Sequence, residues 1–138
     1  MSQVYLLEIV YLVFGSLLLL SDSHGVKYPL LLTMRYGFRN KRWLRILLVC
    51  MGWALTILSM FVPYDPGPMF LGDLIVTVTI FNLTLWYIAM SRHPAGDDEG
   101  KTILDEAATY IERNKEILGF LVAIIACIHF LVPMLVLL

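Results

Sequence analysis

Four stretches of this chain stay apolar for about the length that a bilayer demands, and no other feature narrows its fold as sharply. A helix rises 1.5 Å per residue, so crossing a hydrocarbon core about 30 Å thick takes about 20 residues. The stretches are residues 4–20, 44–62, 71–90 and 117–138, with Glu8 interrupting the first. Little chain is left between them. The 138 residues are therefore expected to form a single all-α transmembrane domain, a four-transmembrane-helix bundle. With 59% hydrophobic residues and a mean hydropathy of +0.80, a bilayer is the natural solvent for such a chain. No basic residue precedes the first stretch and no small-residue cleavage pattern follows it, so a retained helix is expected there and not a cleaved leader.

Charge sets the expected orientation. Lys27, Arg35, Arg39, Lys41, Arg42 and Arg45 lie in or beside the first connection, and Arg92, Lys101, Arg113 and Lys115 in the third. The second connection and both tails carry none. Basic residues flanking spans are retained in the cytoplasm, which predicts both termini outside and a cytoplasmic (inner) membrane as the location. Ten basic and eleven acidic residues nearly cancel, so nothing in the balance points to nucleic acid as a partner. Cys50 and Cys127 both lie in apolar runs and suggest neither a disulfide framework nor a redox pair.

Within the first connection, Pro29 suits the first turn of a short helix. The mixture of Leu30, Leu31, Leu32, Tyr36 and Phe38 with basic residues predicts that this helix lies in the membrane interface. Lys27, Arg35, Arg39, Lys41 and Arg42 are its candidate contacts to anionic lipid headgroups. The three-residue recurrence of Arg39, Arg42 and Arg45 has the spacing of gating charges, but a cytoplasmic helix end favours anchoring. In the third connection, the letters from Gly96 to Thr102 hold three acidic residues between glycines, which would repel phosphate and excludes a phosphate loop. Ile103, Ala107, Tyr110 and Ile111 then recur at helical spacing and predict an amphipathic helix. No breaker follows Glu116, so one helix is expected to run from about Thr102 through the last span, its cytoplasmic part extending toward solvent or a partner.

Polar residues inside spans are the candidate functional groups, because each needs a partner or a water-filled cavity. Glu8 and His129 are expected at comparable depth in the outer half, with Asn82 and Thr84 nearby in depth; Glu8, Asn82 and His129, with Asp73 at the mouth, make a possible polar path. The competing reading has Glu8 reaching headgroups, His129 hydrogen-bonding between helices and Asp73 capping a helix. Haem ligation by two histidines is disfavoured, since His24 and His93 belong at the opposite boundary from His129. No metal, cofactor or catalytic set is expected. Small residues mark packing faces: Gly15; Gly52, Thr56 and Ser59; and Gly119, Ala123 and Cys127 at four-residue spacing.

Three classes of function follow. The preferred one is an oligomeric structural or accessory subunit of a membrane assembly, with lipids and either copies of itself or another membrane protein as partners. A small oligomeric channel or transporter using the intramembrane polar residues comes second. A membrane enzyme acting on a lipophilic substrate comes third.

Overall fold

A computed structural model describes residues 2–61, 74–91 and 103–131. Six helices account for nearly all of them: α1 Ser2–His24, α2 Pro29–Asn40, α3 Arg42–Phe61, α4 Leu74–Ser91, α5 Ile103–Arg113 and α6 Lys115–Leu131. Among the described residues there is no strand. Two helical segments, Gln3–His24 and Arg42–Ser59, are long and apolar enough to cross a membrane, and Leu74–Met90 is a shorter apolar one. The proline-rich turn, Asp73 and the acidic run of the third connection lie outside the described residues.

Local chemistry explains the boundaries. After α1 the chain turns through Gly25, whose amide donates to the Ser21 carbonyl at 3.0 Å. Pro29 occupies the first turn of α2, where its missing N–H costs no hydrogen bond. Lys41, in extended backbone, is the only residue between α2 and α3, so the two helices meet at a bend.

The long helix expected from Thr102 is instead two helices broken at Asn114. The Asn114 amide divides its hydrogen bond between the carbonyls of Tyr110 and Ile111, at 3.1 and 3.2 Å, while its side chain also donates to the Tyr110 carbonyl. An asparagine that competes for backbone acceptors in this way interrupts a helix without any proline. The amphipathic segment does not extend α6. It turns back and packs mainly on α4, with Ile111 against the core.

α1 packs most closely on α6, and α3 on α4. Both pairs are antiparallel. Glu8 stands beside His129 and Asp22 beside Lys115, whereas Ser59 meets Thr77 on the other pair. α1 and α4 run in the same direction where they join the pairs, with Tyr11 on Thr84 and Gly15 on Leu83 and Tyr87. The core between the pairs holds Tyr11, Leu12, Leu19, Leu55, Val76, Ile80 and Tyr87, all buried. α2 closes the Asp22 end by inserting Phe38, whose ring stacks on Trp86 and tilts against Tyr87 at centroid distances of 6.5 and 5.3 Å. The outward faces are as apolar as the core: Leu6, Val10 and Val13 on α1, Ile46 and Ile57 on α3, Val78 and Phe81 on α4, and Leu121, Ile124 and Phe130 on α6.

Candidate functional site

The strongest polar arrangement joins α1 and α6 at two levels. At one end Glu8 is fully buried and its Oε2 lies 3.8 Å from Nε2 of His129, itself buried. The Tyr5 hydroxyl donates to the backbone carbonyl of His129, and the Tyr5 and His129 rings lie 4.7 Å apart by centroid. The placement follows from helix geometry. Glu8 and Tyr5 are three residues apart on α1 and so share the face that α6 covers.

Asp22, one turn after Leu18 on the same helix, holds the other end. Its carboxylate pairs with Arg35 of α2 and with Lys115 of α6. Lys115 also lies 3.5 Å from Glu112. Beside this cluster an open cleft of about 370 Å³ is lined by Ser23, Arg113 and Glu116 among others. It carries both signs of charge.

A neutral set runs through the middle of the molecule. The Tyr11 hydroxyl and Thr84 Oγ1 are 2.9 Å apart and buried, and Thr84 also donates to the Ile80 carbonyl at 2.7 Å. Gly52 faces both of these hydroxyls; a Cβ there would collide with them. Thr56 donates to the Gly52 carbonyl, and Ser59 Oγ lies 2.8 Å from Thr77 Oγ1.

Of the residues expected to form a polar path, the fold brings together Glu8 and His129. Asn82 is not among them: it is exposed on the outward face of α4 and donates to its own helix at the Val78 carbonyl, 2.9 Å away. Asp73 lies outside the described residues. The small-residue face of α6 also differs from expectation. Gly119 meets Leu19 and Leu20, but the buried stripe continues through Val122, Ala126 and His129, leaving Ala123 at its edge and Cys127 exposed. Gly15, Gly52 and Thr56 face inward and Ser59 is half-buried. Lys27, Arg39, Lys41 and Arg42 are exposed, whereas Arg35 spends its charge on Asp22.

Sequence reasoning missed Tyr11 and the pairing of Asp22 with Lys115. The available signals were faint ones: a carboxylate just past an apolar run, a lysine just before another, and a single hydroxyl inside a run. Among the described residues no three of His, Cys, Asp and Glu gather as metal ligands would. A family model of unknown function matches residues 1–129. No curated protein and no solved structure matches the chain.

Proposed function

The chain belongs to that family of unknown function, and on this premise we propose that it is a four-span membrane protein serving as an oligomeric structural or accessory subunit of a membrane assembly. Both termini lie outside the cytoplasm in this reading, and α1, α3, α4 and α6 are the spans. Its support is the exposed surface of α4 and α6, helices that fall short of a full crossing within the described residues. They present Val78, Phe81, Leu121, Ile124 and Phe130 outward, a surface suited to lipid and not to water. The two helix directions agree: α1 and α4 run one way, α3 and α6 the other, and the basic start of α3 lies at the Asp22 end.

A single observation favours structure over transport. In the interior Tyr11 pairs with Thr84, and Ser16, Ser21 and Thr56 donate to carbonyls of their own helices, while Tyr11, Leu12, Leu55, Ile80 and Tyr87 fill the space between the Glu8 and Asp22 ends with no exposure. Such pairs fix helices at defined depth and rotation. α5 leaves Ile103 and Tyr110 exposed at the cytoplasmic end as a docking face for another subunit.

Two measurements test the proposal. Cysteines placed singly at Lys27 and Asp65, in a background lacking Cys50 and Cys127, should label from opposite sides of the membrane. Labelling from the same side would refute the topology. A native mass spectrum of gently extracted protein should show either a homo-oligomer or a stoichiometric complex with another subunit; a lone monomer would refute the subunit role.

Transport is the second reading, carried by the buried Glu8 and His129 pair. Proteoliposome proton or solute flux that disappears in Glu8→Gln and His129→Ala, with assembly intact, would establish it in place of the first.

A further inference from the structure

Asn82 is the ninth of the eighteen residues of α4, which puts its carboxamide at mid-helix. It stands in an outward stripe with Leu74, Val78 and Phe81, bordered by the half-buried Leu85, and Trp53 of α3 leans on that stripe through an edge contact to Phe81, 5.9 Å between centroids. Among the described residues the amide makes one hydrogen bond, to the Val78 carbonyl. A carboxamide has two donor hydrogens and an acceptor oxygen. One donor is thus used locally, while the second donor and Oδ1 face outward. The neighbouring backbone N–H groups belong to the helix ladder, so α4 has nothing further to give them.

On the four-span reading, from which this inference follows, these groups face hydrocarbon at the bilayer centre. Lipid tails neither donate nor accept, and an unmet amide there is costly. We propose that the Asn82 face of α4 is the interface with a second copy of this chain, the two carboxamides bonding to each other across a two-fold axis. Copies inserted with the same topology can be related only by an axis along the membrane normal, which brings residue 82 of one copy to the depth of residue 82 of the other. The carboxamide is self-complementary, donor to acceptor in both directions, as an isologous contact requires. A different membrane protein would have to carry its own polar group at that depth. Val78, Phe81 and Leu85 supply apolar contact on either side, so the amide pair sets register and the stripe supplies area.

The test is disulfide trapping in native membranes of a chain lacking Cys50 and Cys127. With Val78→Cys, one turn along α4 from Asn82, copper-phenanthroline oxidation should give a covalent dimer, and Leu121→Cys on the outward face of α6 should give none. Adding Asn82→Leu should reduce the trapped fraction as expected of about tenfold weaker association, the scale of an interhelical amide hydrogen bond in lipid. Asn82→Gln should restore it. Because residue 82 is exposed, the leucine variant keeps the internal packing, and unchanged far-ultraviolet circular dichroism will show this. Trapping at 121 and not at 78, or trapping at 78 that is indifferent to leucine, overturns the interface while leaving the subunit reading standing. A native mass spectrum with a foreign subunit and a single copy of this chain overturns the proposal and keeps the accessory role. A monomer alone overturns both.

Discussion

The α1–α6 contact and the α3–α4 contact are both antiparallel helix pairs, yet different chemistry holds them. Ionisable groups meet across the first at both ends, Asp22 with Lys115 and Glu8 beside His129, with Gly119 against Leu19 and Leu20 between them. The second carries no charged pair among the described residues. It relies on Gly52 against Thr84, on Ser59 with Thr77, and on the Trp53 and Phe81 rings. Charged anchors set the depth of one helix against another, because sliding by one turn separates both pairs at once. Glycine sets how near two helices come, and hydroxyls fix rotation at little desolvation cost. Of these two pairs, the one whose helices are far apart in the chain uses ionisable groups at its ends, and the one whose helices are close in sequence uses neutral contacts.

The largest expected effect tests the glycines of the two pairs against each other. A Cβ at Gly52 would strike the Tyr11 and Thr84 hydroxyls, which are themselves buried and tied together. Gly52→Leu should therefore cost about 3 kcal/mol, the upper part of the usual range for overpacking a core. At Gly119 the nearest atom is Leu20 Cγ at 2.8 Å, on a half-buried side chain that can turn aside. Gly119→Leu should cost about 1 kcal/mol. Unfolding titrations in mixed micelles with increasing SDS will rank them. The reverse order would mean that α1–α6, not the centre of the core, is the tighter contact.

Asp22→Asn probes the charged anchor directly. Asp22 is 17% exposed and its partners Arg35 and Lys115 are 39% and 30% exposed, so solvent screens part of the attraction. The expected loss is about 1.5 kcal/mol. It should shrink when salt is raised from tens of millimolar to molar, as an electrostatic contribution near water must. A loss independent of salt would make Asp22 a hydrogen-bond acceptor only, and the contrast between the pairs would weaken.

Next in size is the bond that joins the two pairs. Tyr11→Phe removes a hydroxyl from Thr84 while leaving the ring in its edge contact with Tyr87, 5.8 Å between centroids. About 1 kcal/mol should be lost in the same titration. Thr84→Val in addition should then cost almost nothing further, since the pair is already broken. Full additivity would show that the two groups stabilise the fold independently.

How much of this was readable follows from what each feature depends on. The apolar runs that became α1, α3 and α4 are local, and so is the Pro29 start of α2. The side of α4 that faces inward was not readable. That helix is apolar all round, and in such a segment polarity does not encode rotation. Polarity alone therefore points Asn82 to an interior path, whereas it sits on the outside of α4. On α6, spacing by four pointed through Ala123 to Cys127, whereas the buried line runs Gly119, Val122, Ala126, His129. Both lines start at the same glycine, and only the position of α1 chooses between them. The break at Asn114 escaped notice because it arises from competition for carbonyls and not from proline or glycine. Depth alone matches Glu8 with His129, and the fold sets them 3.8 Å apart, whereas nothing local announces for Asp22 a partner 93 residues away.

The smallest effect is the most informative about the neutral pair. Ser59 and Thr77 stand 2.8 Å apart and are half-buried, and the Ser59 hydroxyl has a second acceptor in the Thr56 carbonyl at 3.2 Å. Breaking the pair thus does not strand the Ser59 hydroxyl. A double-mutant cycle of Ser59→Ala and Thr77→Ala should give a coupling energy of about 0.6 kcal/mol, typical of interhelical hydrogen bonds in membranes. A coupling above about 1.5 kcal/mol would place this hydroxyl contact on the scale of the Asp22 anchor. The two helix pairs would then differ in the chemistry of their anchors but not in their strength, and charge would have to be explained by partner choice during assembly instead of by stability.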